Sequence, residues 1–356
     1  MSHALGDFFR DQEVLVTGVS GFIGWHVAKK LAEAEARVRV LVRPASAKNT
    51  PDLEAFNVYV GDLLEPDSLD QAVRGCRYLF HVAGDYRFWA RDQREIFRNN
   101  VEGSRNILDA AHRRGVERIV STSTCGILAR SHDQSPADES LLAGPEDLPG
   151  VYKRSKFEAY LETQKRAEAG EPIISALPTA PVGWRDIKPT PTGMVIVKFL
   201  NGGIPFLART GLNFGAVEAV ATGHLQAMAN GMIGERYLLG GTNLWLHEFL
   251  KLLEPYTRHK TPQRYCPEWI SEAAASVSEA FAQLTGSAPF VTRESVRMSR
   301  HPYFFTCAKA EKEIGYEVTG VEGALRDAVR YFAGRGLVSP KYILEPVEPP
   351  AQHPAS

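Results

Sequence analysis

Tyr152 and Lys156 stand four residues apart (YxxxK) at the start of a segment, Tyr152 to Lys165, whose pattern predicts a helix. Residues four apart share one helix face, so the ammonium group would lie beside the phenol. A neighbouring positive charge favours the phenolate and lowers the pKa of the phenol, which makes it usable as an acid or base near neutral pH. The pair predicts proton transfer to or from a substrate oxygen.

A glycine-rich turn, Thr17 to Gly24 (TGVSGFIG), follows the first apolar strand and opens the first helix. Glycines there let the chain turn tightly and bring its backbone against a pyrophosphate, while the N–H groups of the helix N-terminus bind the phosphates. The turn therefore predicts a nicotinamide dinucleotide as cofactor. The residues expected to contact it are Gly18, Ser20, Gly21, Phe22, Ile23 and Gly24.

The end of the second strand indicates which dinucleotide is bound. NAD-binding proteins usually place Asp or Glu there for the ribose hydroxyls, whereas this strand ends in Arg43, with Lys48 shortly after it. A guanidinium group is suited to a 2′-phosphate as a bidentate donor. NADP(H) is therefore favoured, and NAD(H) remains the alternative.

Short apolar runs alternate with helical patterns through the first part of the chain. The predicted strands are 14–17, 38–42, 58–60, 78–82, 118–121, 173–177 and 236–239, and the predicted helices there are 22–34, 68–73, 101–113 and 152–165. Continuous apolar strands separated by helices are typical of a parallel sheet covered on both faces. The predicted fold class is α/β, a doubly wound parallel sheet (Rossmann fold) with a smaller, mostly helical C-terminal lobe.

Three regions are expected along the chain. Residues 1–176 form the dinucleotide-binding domain, with a later contribution around 209–241, and residues 177–340 form a substrate-binding lobe. That lobe should begin with a long Pro/Gly-rich loop, 178–193, followed by helices at 194–200, 246–253, 268–284 and 323–332. Residues 341–356 form a proline-rich tail that we expect to be disordered.

The composition excludes several classes of protein. Lys and Arg number 41 against 42 Asp and Glu, so the formal charge of −1 argues against a general nucleic-acid binder. The four cysteines are far apart, which predicts neither a metal site nor a disulfide framework and favours a reducing, cytoplasmic location. No signal peptide and no transmembrane segment are predicted.

The glycine spacing GxxGxxG resembles that of the short-chain dehydrogenase/reductase superfamily, in its extended, epimerase/dehydratase branch. Within that branch the chain resembles the hopanoid-associated sugar epimerase group, whose relatives include dihydroflavonol-4-reductase-like and 3β-hydroxysteroid-dehydrogenase-like proteins. The matching segments are His81 to Arg91, Asn100 to Leu108, Tyr152 to Lys156, Gly183 to Gly193, Gly234 to Gly241 and Leu284 to Tyr316.

The resemblance implies further cofactor contacts. Asp62 with Leu63 would meet the adenine, His81 and Ala83 (HVAG) would lie beside the nicotinamide ribose, and Pro178 would complete the set. Tyr152 and Lys156 also belong to it, since the lysine holds the ribose hydroxyls.

The same resemblance completes the catalytic set. Thr124 would hold the substrate oxygen, with Ser123 as the alternative, and Asn100 would position Lys156 and a water relay.

Three departures from the family pattern bear on the reaction. Leu177-Pro178 replaces the usual Asn-Pro, Ala216 to Ala219 replaces a His-Val-Asp-Asp stretch, and no RxxNxxGP segment follows. These changes weaken the hold on a nucleotide diphosphate. Cys125-Gly126 stands where dehydratases place Asp-Glu, which argues against dehydration.

The expected substrate is a small, apolar molecule. This expectation follows from the aromatic and aliphatic side chains expected to face the nicotinamide, which are Tyr86, Phe88, Trp89, Val182, Trp184, Met194 and Phe199. Arg87, Arg185 and Lys188 are candidates to bind an anionic group.

The predicted activity is an NAD(P)-dependent oxidoreductase interconverting a secondary alcohol and a ketone or aldehyde, such as those of a sterol or triterpenoid. The alternatives are a nucleotide-sugar 4-epimerase with tightly bound NAD and a non-catalytic NADP(H)-sensing protein. A homodimer is the default expectation for the superfamily.

Overall fold

The computed structural model describes residues 3–48, 50–131, 135–148, 150–286, 289, 291–299 and 301–344. Its strands are β1 (Glu13–Thr17), β2 (Arg37–Val42), β3 (Asn57–Val60), β4 (Tyr78–His81), β5 (Arg118–Thr122), β6 (Ile173–Pro178), β7 (Ala180–Val182), β8 (Gly211–Ala216), β9 (Arg236–Leu239) and β10 (Thr242–Trp245). Its helices are α1 (His3–Phe9), α2 (Phe22–Glu33), α3 (Pro44–Ala47), α4 (Pro66–Val73), α5 (Gln93–Phe97), α6 (Gly103–Arg113), α7 (Val151–Glu168), α8 (Pro191–Leu200), α9 (Val217–Asn230), α10 (Leu246–Leu253), α11 (Glu268–Thr285), α12 (Arg293–Met298), α13 (Ala308–Ile314) and α14 (Glu322–Gly334).

Seven parallel strands form the central sheet, in the order β3-β2-β1-β4-β5-β6-β9. Strand order reverses between β1 and β4, which is the switch point where doubly wound sheets bind ligands at the carboxyl ends of their strands. The predicted α/β fold with a doubly wound parallel sheet is therefore confirmed. The turn after β1 and the segments after β4 and β5 all emerge at this edge.

Alternate residues of the central strands pack on opposite faces of the sheet, because successive side chains of a strand point in opposite directions. Val14 and Val16 of β1 belong to the core on one face, whereas Leu15 belongs to the core on the other. Phe80 and Leu79 of β4 divide in the same way. Burial on both faces explains the nearly continuous apolar strand sequences.

A second, three-stranded sheet has the order β10-β8-β7 and packs with α8, α10 and α14 around a separate core. The stacked rings of Phe214 and Phe249, whose centroids lie 3.9 Å apart, join β8 to α10. This sheet was not predicted, and β7 with the start of α8 lies in the segment 178–193 that the sequence predicts as loop. Pro181 is tolerated in β7 because the strand is at an edge of its sheet.

Val182 and Phe199 were expected to face the nicotinamide, and that expectation is wrong. Both side chains are almost completely buried in the core of this second sheet. Apolar residues on a strand and a helix next to a new sheet bury against it before they can line a cleft.

The C-terminal region ends, within the described residues, at a 3₁₀ turn spanning Pro340–Tyr342 and the residues up to 344. The remainder of the predicted proline-rich tail, 345–356, lies outside the described residues. Among the helices that the structure describes, none is both long enough and apolar enough to cross a bilayer.

Candidate active site

The turn between β1 and α2 is built for close backbone contact. Gly18 has a φ of 79°, and a Cβ atom there would lie 2.6 Å from the Ala83 nitrogen at the end of β4. A Cβ atom on Gly24 would lie 2.4 Å from the Gly18 oxygen. Gly21 caps α2 without a side-chain hydrogen bond, so the first N–H groups of this helix have no side-chain cap. Only backbone fits this turn, and its uncapped N–H groups suit a phosphate.

The candidate cofactor-binding residues around the start of α2 differ in their exposure to solvent. Ser20, just before the helix, is exposed, Phe22 is buried and Ile23 is half-buried. The ring of Phe22 packs edge-on against that of His26, with centroids 5.6 Å apart. Phe22 and Ile23 can therefore serve a bound phosphate only through their backbone.

Arg43 and Lys48 both have exposed side chains at the carboxyl edge of the sheet. Arg43 caps α3 through its backbone, because its carbonyl oxygen accepts hydrogen bonds from the N–H groups of Ser46 and Ala47 at 2.8 and 3.0 Å. That role leaves the guanidinium group at the surface beside the end of β2.

Asp62 follows β3 and is half-buried. Its Oδ1 accepts a hydrogen bond from the Leu64 N–H at 3.0 Å, while the Leu63 carbonyl accepts one from Asn106 at 2.8 Å. One oxygen of the Asp62 carboxylate therefore stabilises the turn after β3, and the second oxygen is available to a ligand.

His81 at the end of β4 is buried and links β1 to α6 through hydrogen bonds. Its Nδ1 lies 2.9 Å from Thr17 Oγ1, and its Nε2 lies 2.9 Å from Ser104 Oγ. Burial lowers the pKa of His81 to about 3, so the ring is neutral. Because Ser104 donates to the Asn100 carbonyl at 2.6 Å, His81 Nε2 is the donor and Nδ1 accepts from Thr17. The imidazole has no capacity left for a ligand.

Asn100 lies in a π-helical turn, Arg98–Glu102, between α5 and α6. Its Nδ2 donates to the Asp85 carbonyl and to Ser155 Oγ, each at 2.9 Å, and its Oδ1 accepts from the Asp85 N–H at 2.7 Å. Ser155 in turn donates to the Tyr152 carbonyl at 2.8 Å. Asn100 therefore joins the segment after β4 to the first turn of α7.

Lys156 is buried at the centre of the site. Its Nζ donates to the Thr122 carbonyl oxygen at 2.9 Å, and burial lowers the pKa of Lys156 to about 8. A Cβ atom built on Gly84 would lie 3.3 Å from this nitrogen and 3.5 Å from Asn100 Oδ1. The structure thus brings Asn100, Lys156 and the chain after β4 to one point.

The two hydroxyls after β5 differ in their partners. Thr124 Oγ1 accepts a hydrogen bond from the Gly126 N–H at 3.1 Å and caps a 3₁₀ turn, Cys125–Ile127. Ser123 Oγ is buried and has no partner among the described residues. A buried hydroxyl without a partner costs free energy unless a ligand supplies one.

Tyr152 is half-buried in the first turn of α7, where the ring of Phe88 packs edge-on against it with centroids 5.4 Å apart. Beside this pair is a cleft of about 540 Å³, here called the α7 cleft. Its lining comprises Phe88, Trp89, Gln93, Gly150, Val151 and Arg154, together with Ser276, Glu279, Ala280, Gln283, Arg293 and Arg297.

Trp184 and Arg185 lie elsewhere than predicted. The Trp184 ring packs edge-on against Trp25 at 5.0 Å, and its Nε1 donates to Glu218 at 3.1 Å. The Arg185 side chain is buried, with its guanidinium 4.1 Å from the Trp25 ring and one nitrogen donating to the Pro51 carbonyl at 2.8 Å. Both residues therefore pack against α2 and its surroundings.

Four of the other predicted pocket residues, Tyr86, Arg87, Lys188 and Met194, lie at the surface. Arg87 pairs with Asp85 at 2.5 Å, and Tyr86 donates to the Lys188 carbonyl at 3.3 Å. Tyr86 and Met194 are both exposed.

Sequence reasoning missed three supporting residues, which are Asp85, Thr122 and Ser155. Each acts through its backbone or through a short contact with a predicted site residue. Their positions next to predicted site residues could have identified two of them, because Asp85 directly follows the HVAG segment and Ser155 lies inside YxxxK.

The fold and this arrangement define the class of protein, and comparison with known proteins agrees. Residues 14–240 match the NAD dependent epimerase/dehydratase family, and the chain belongs to that family. It is an NAD(P)-dependent enzyme of the extended short-chain dehydrogenase/reductase type, as predicted.

Several relatives are similar over nearly the whole chain. A putative dihydroflavonol 4-reductase from Synechocystis sp. is 38% identical over 327 residues, covering 91% of this chain and 95% of the relative. Sterol demethylase protein B from Methylococcus capsulatus is 27% identical over 326 residues, covering 91% and 99%. The crystal structure of gox2253 superposes with a TM-score of 0.82 at 39% identity, covering 92% of this chain and 100% of that one.

Proposed function

We propose that this protein is a reductase or dehydrogenase that interconverts a secondary alcohol and a ketone or aldehyde on an apolar substrate such as a sterol or triterpenoid. The observation that carries the proposal is the buried Ser123 hydroxyl, for which the described part of the chain supplies no partner. Ser123 directly follows Thr122, whose carbonyl oxygen accepts a hydrogen bond from the Lys156 ammonium group. A substrate carbonyl or alcohol oxygen would satisfy that hydroxyl.

A bound nicotinamide would supply the hydride to the substrate carbon in reduction, or accept it in oxidation. In the reductive direction, Tyr152 gives its phenolic proton to the substrate oxygen, and in the oxidative direction it takes that proton back. Ser123, whose hydroxyl has no partner among the described residues, donates a hydrogen bond to the same oxygen, and Thr124, whose Oγ1 accepts from the Gly126 N–H and keeps its own proton, is the alternative donor. Lys156 favours the phenolate of Tyr152, and Asn100 holds the first turn of α7 in place.

The cofactor contacts follow the carboxyl edge of the sheet. The residues that would hold it are Gly18, Ser20, Gly21, Phe22, Ile23 and Gly24 at the phosphates, Asp62 and Leu63 at the adenine, His81 and Ala83 through their backbone, Lys156 at the ribose, and Pro178 at the end of β6. The exposed side chains of Arg43 and Lys48 at the end of β2 support NADP(H) as the preferred form.

An apolar substrate fits the surroundings of Tyr152. Phe88 and Trp89 form an aromatic part of the α7 cleft, whose lining also includes Arg154, Arg297 and an Arg293 that pairs with Glu279. Of the residues predicted to bind an anionic group, Arg87 pairs with Asp85 and Arg185 packs against Trp25, so both already have partners. The relatives also include a mouse protein named sterol-4-alpha-carboxylate 3-dehydrogenase, decarboxylating, 25% identical over 342 residues.

The test is a nicotinamide-absorbance assay on the purified protein. NADPH and NADH are offered with keto-steroids, and the oxidised cofactors with the matching alcohols, while UDP-sugars run in parallel. Tyr152→Phe serves as the blank and Tyr256→Phe as the matched control. Turnover of an apolar substrate that is lost in Tyr152→Phe and kept in Tyr256→Phe supports the proposal. Interconversion of UDP-sugar isomers without net cofactor consumption contradicts it.

A further inference from the structure

Helix α11 presents its apolar side to solvent. The exposed fractions of its large apolar side chains are 72% for Trp269, 70% for Val277, 64% for Phe281 and 87% for Leu284. At roughly 100° per residue, these side chains fall on one stripe about 120° wide that contains no charged residue. We call this stripe the α11 face.

The opposite side of α11 packs against the protein. Ala275 and Ala282 are buried there, and Glu279 pairs with Arg293 at 2.7 Å beside α12. Glu272 also lies on this side, in a small cavity against α12. The helix therefore buries small residues against the protein and presents its large apolar residues outward, which reverses the usual amphipathic arrangement.

A wall of the α7 cleft is formed by the side of α11 that lies next to the α11 face. Ser276, Glu279 and Ala280 line the cleft together with Phe88, whose ring contacts Tyr152. The exposed apolar stripe and the space beside the candidate catalytic tyrosine therefore lie on adjoining sides of one helix.

We infer that α11 lies in the interface of a lipid bilayer and seats the protein on it, so that apolar substrate passes from the lipid to the α7 cleft. The inferred membrane-binding surface depends only on the α11 face, whereas the inferred delivery of substrate rests on the proposed function. The helix has 18 residues and three glutamates, so it is suited to lying on a membrane and does not span one. Trp269, and the exposed Tyr265 just before the helix, are residue types that favour the level of the lipid headgroups.

A lipid surface accounts for the α11 face better than a second copy of the chain. A helix of this length is about 27 Å long and about 10 Å wide, which gives a patch of roughly 270 Å². A stable protein interface buries about 800 Å² on each partner. A bilayer requires no complementary partner surface, and its contact with the helix scales with the apolar area inserted, which the uncharged α11 face supplies.

The test is flotation of the full chain with phosphatidylcholine vesicles, with and without phosphatidylglycerol. The native chain should float with vesicles and remain bound in added salt, because the contact is apolar. The double variant V277E/F281E should lose at least tenfold in vesicle affinity. M232E/I233E, which charges an exposed apolar pair before β9, should bind as the native chain does.

Trp269 gives a site-specific readout. Lipids brominated in their acyl chains should quench its fluorescence, and the quenching should disappear in Trp269→Phe while flotation persists. Failure of the native chain to float, or equal flotation of V277E/F281E, would overturn the inference. Dimers in the native chain that become monomers in V277E/F281E would assign the face to a second copy instead.

Activity separates this inference from the proposed function. With a water-soluble ketone, V277E/F281E should keep the native rate, and with a sterol ketone held in vesicles its rate should fall at least tenfold. A chain that floats but reduces no ketone would refute the proposed function and leave the binding surface standing. Equal rates of both chains on the vesicle-held ketone would refute delivery through α11.

Discussion

The ammonium nitrogen of Lys156 donates a 2.9 Å hydrogen bond to the carbonyl oxygen of Thr122. This bond joins the first turns of α7 to the last residue of β5, the two elements that carry the candidate proton donor and the candidate hydroxyl. The charge is buried and its partner is a neutral carbonyl, so the interaction offsets only part of the cost of removing the ammonium from water.

The two hydroxyls after β5 should differ sharply on mutation. Ser123→Ala should lower kcat about 100-fold, because it removes a donor to the reacting oxygen. Thr124→Ala should keep most of the activity and lower the free energy of unfolding by about 1 kcal/mol, since it removes only a cap. Steady-state kinetics and urea unfolding of both variants measure these effects.

Thr124→Ser is the matched control, because it keeps the capping oxygen. If Thr124→Ala loses activity as severely as Ser123→Ala, and Thr124→Ser restores it, then the original assignment of the substrate oxygen to Thr124 is right.

The sequence could not separate these two residues. Both are hydroxyl side chains at the end of an apolar strand, and only the backbone conformation after β5 decides which one caps a turn. By contrast, the doubly wound parallel sheet was predictable, because strands such as β4 are mostly apolar and buried at every residue.

Helix α9 shows what local pattern misses. It packs against α2 and contains small residues such as Gly223, where a Cβ atom would come within 2.7 Å of Leu239. Helix α9 begins directly after a strand and has no side-chain cap at its N-terminus. Its stability therefore comes mainly from tertiary packing. Neither feature is visible in the sequence of one helix.

Lys156 should make stability depend on pH. Burial lowers the pKa of Lys156 to about 8 in the folded chain, whereas an unfolded lysine titrates near about 10.4. Between these values the unfolded chain binds more protons, so stability should rise with pH there. Relative to Lys156→Met, the free energy of unfolding should increase by up to about 3 kcal/mol from about pH 8 to about pH 10.5, and stay constant below that window.

Chemical denaturation of both chains at each pH measures this difference, and the common titration of other groups cancels in the comparison. A difference that stays flat through the window would mean that the buried ammonium is solvated or paired in the folded chain.

Arg43 should set the cofactor preference. Arg43→Ala should raise KM for NADPH about tenfold and leave KM for NADH unchanged, because it removes a donor to the 2′-phosphate alone. Arg74→Ala, which removes another exposed arginine at the end of α4, is the control and should change neither constant. Equal effects of Arg43→Ala on both cofactors would show that Arg43 contacts a part common to NAD and NADP.

Gly18 tests whether the turn after β1 requires close backbone approach as well as a left-handed conformation. In Gly18→Ala the Cβ atom meets the Ala83 nitrogen at 2.6 Å and the φ of 79° is strained, so we expect destabilisation of about 3 kcal/mol and loss of dinucleotide binding. Gly75→Ala has a similar φ of 75° with nothing within 4 Å, and should cost only about 1 kcal/mol.

The pair separates strain from collision, because only the neighbouring backbone differs between the two sites. Thermal unfolding and dinucleotide fluorescence titration measure the two consequences. Equal destabilisation in both variants would mean that the chain after β4 moves away from the turn. The positive φ would then be the only reason for a glycine at position 18.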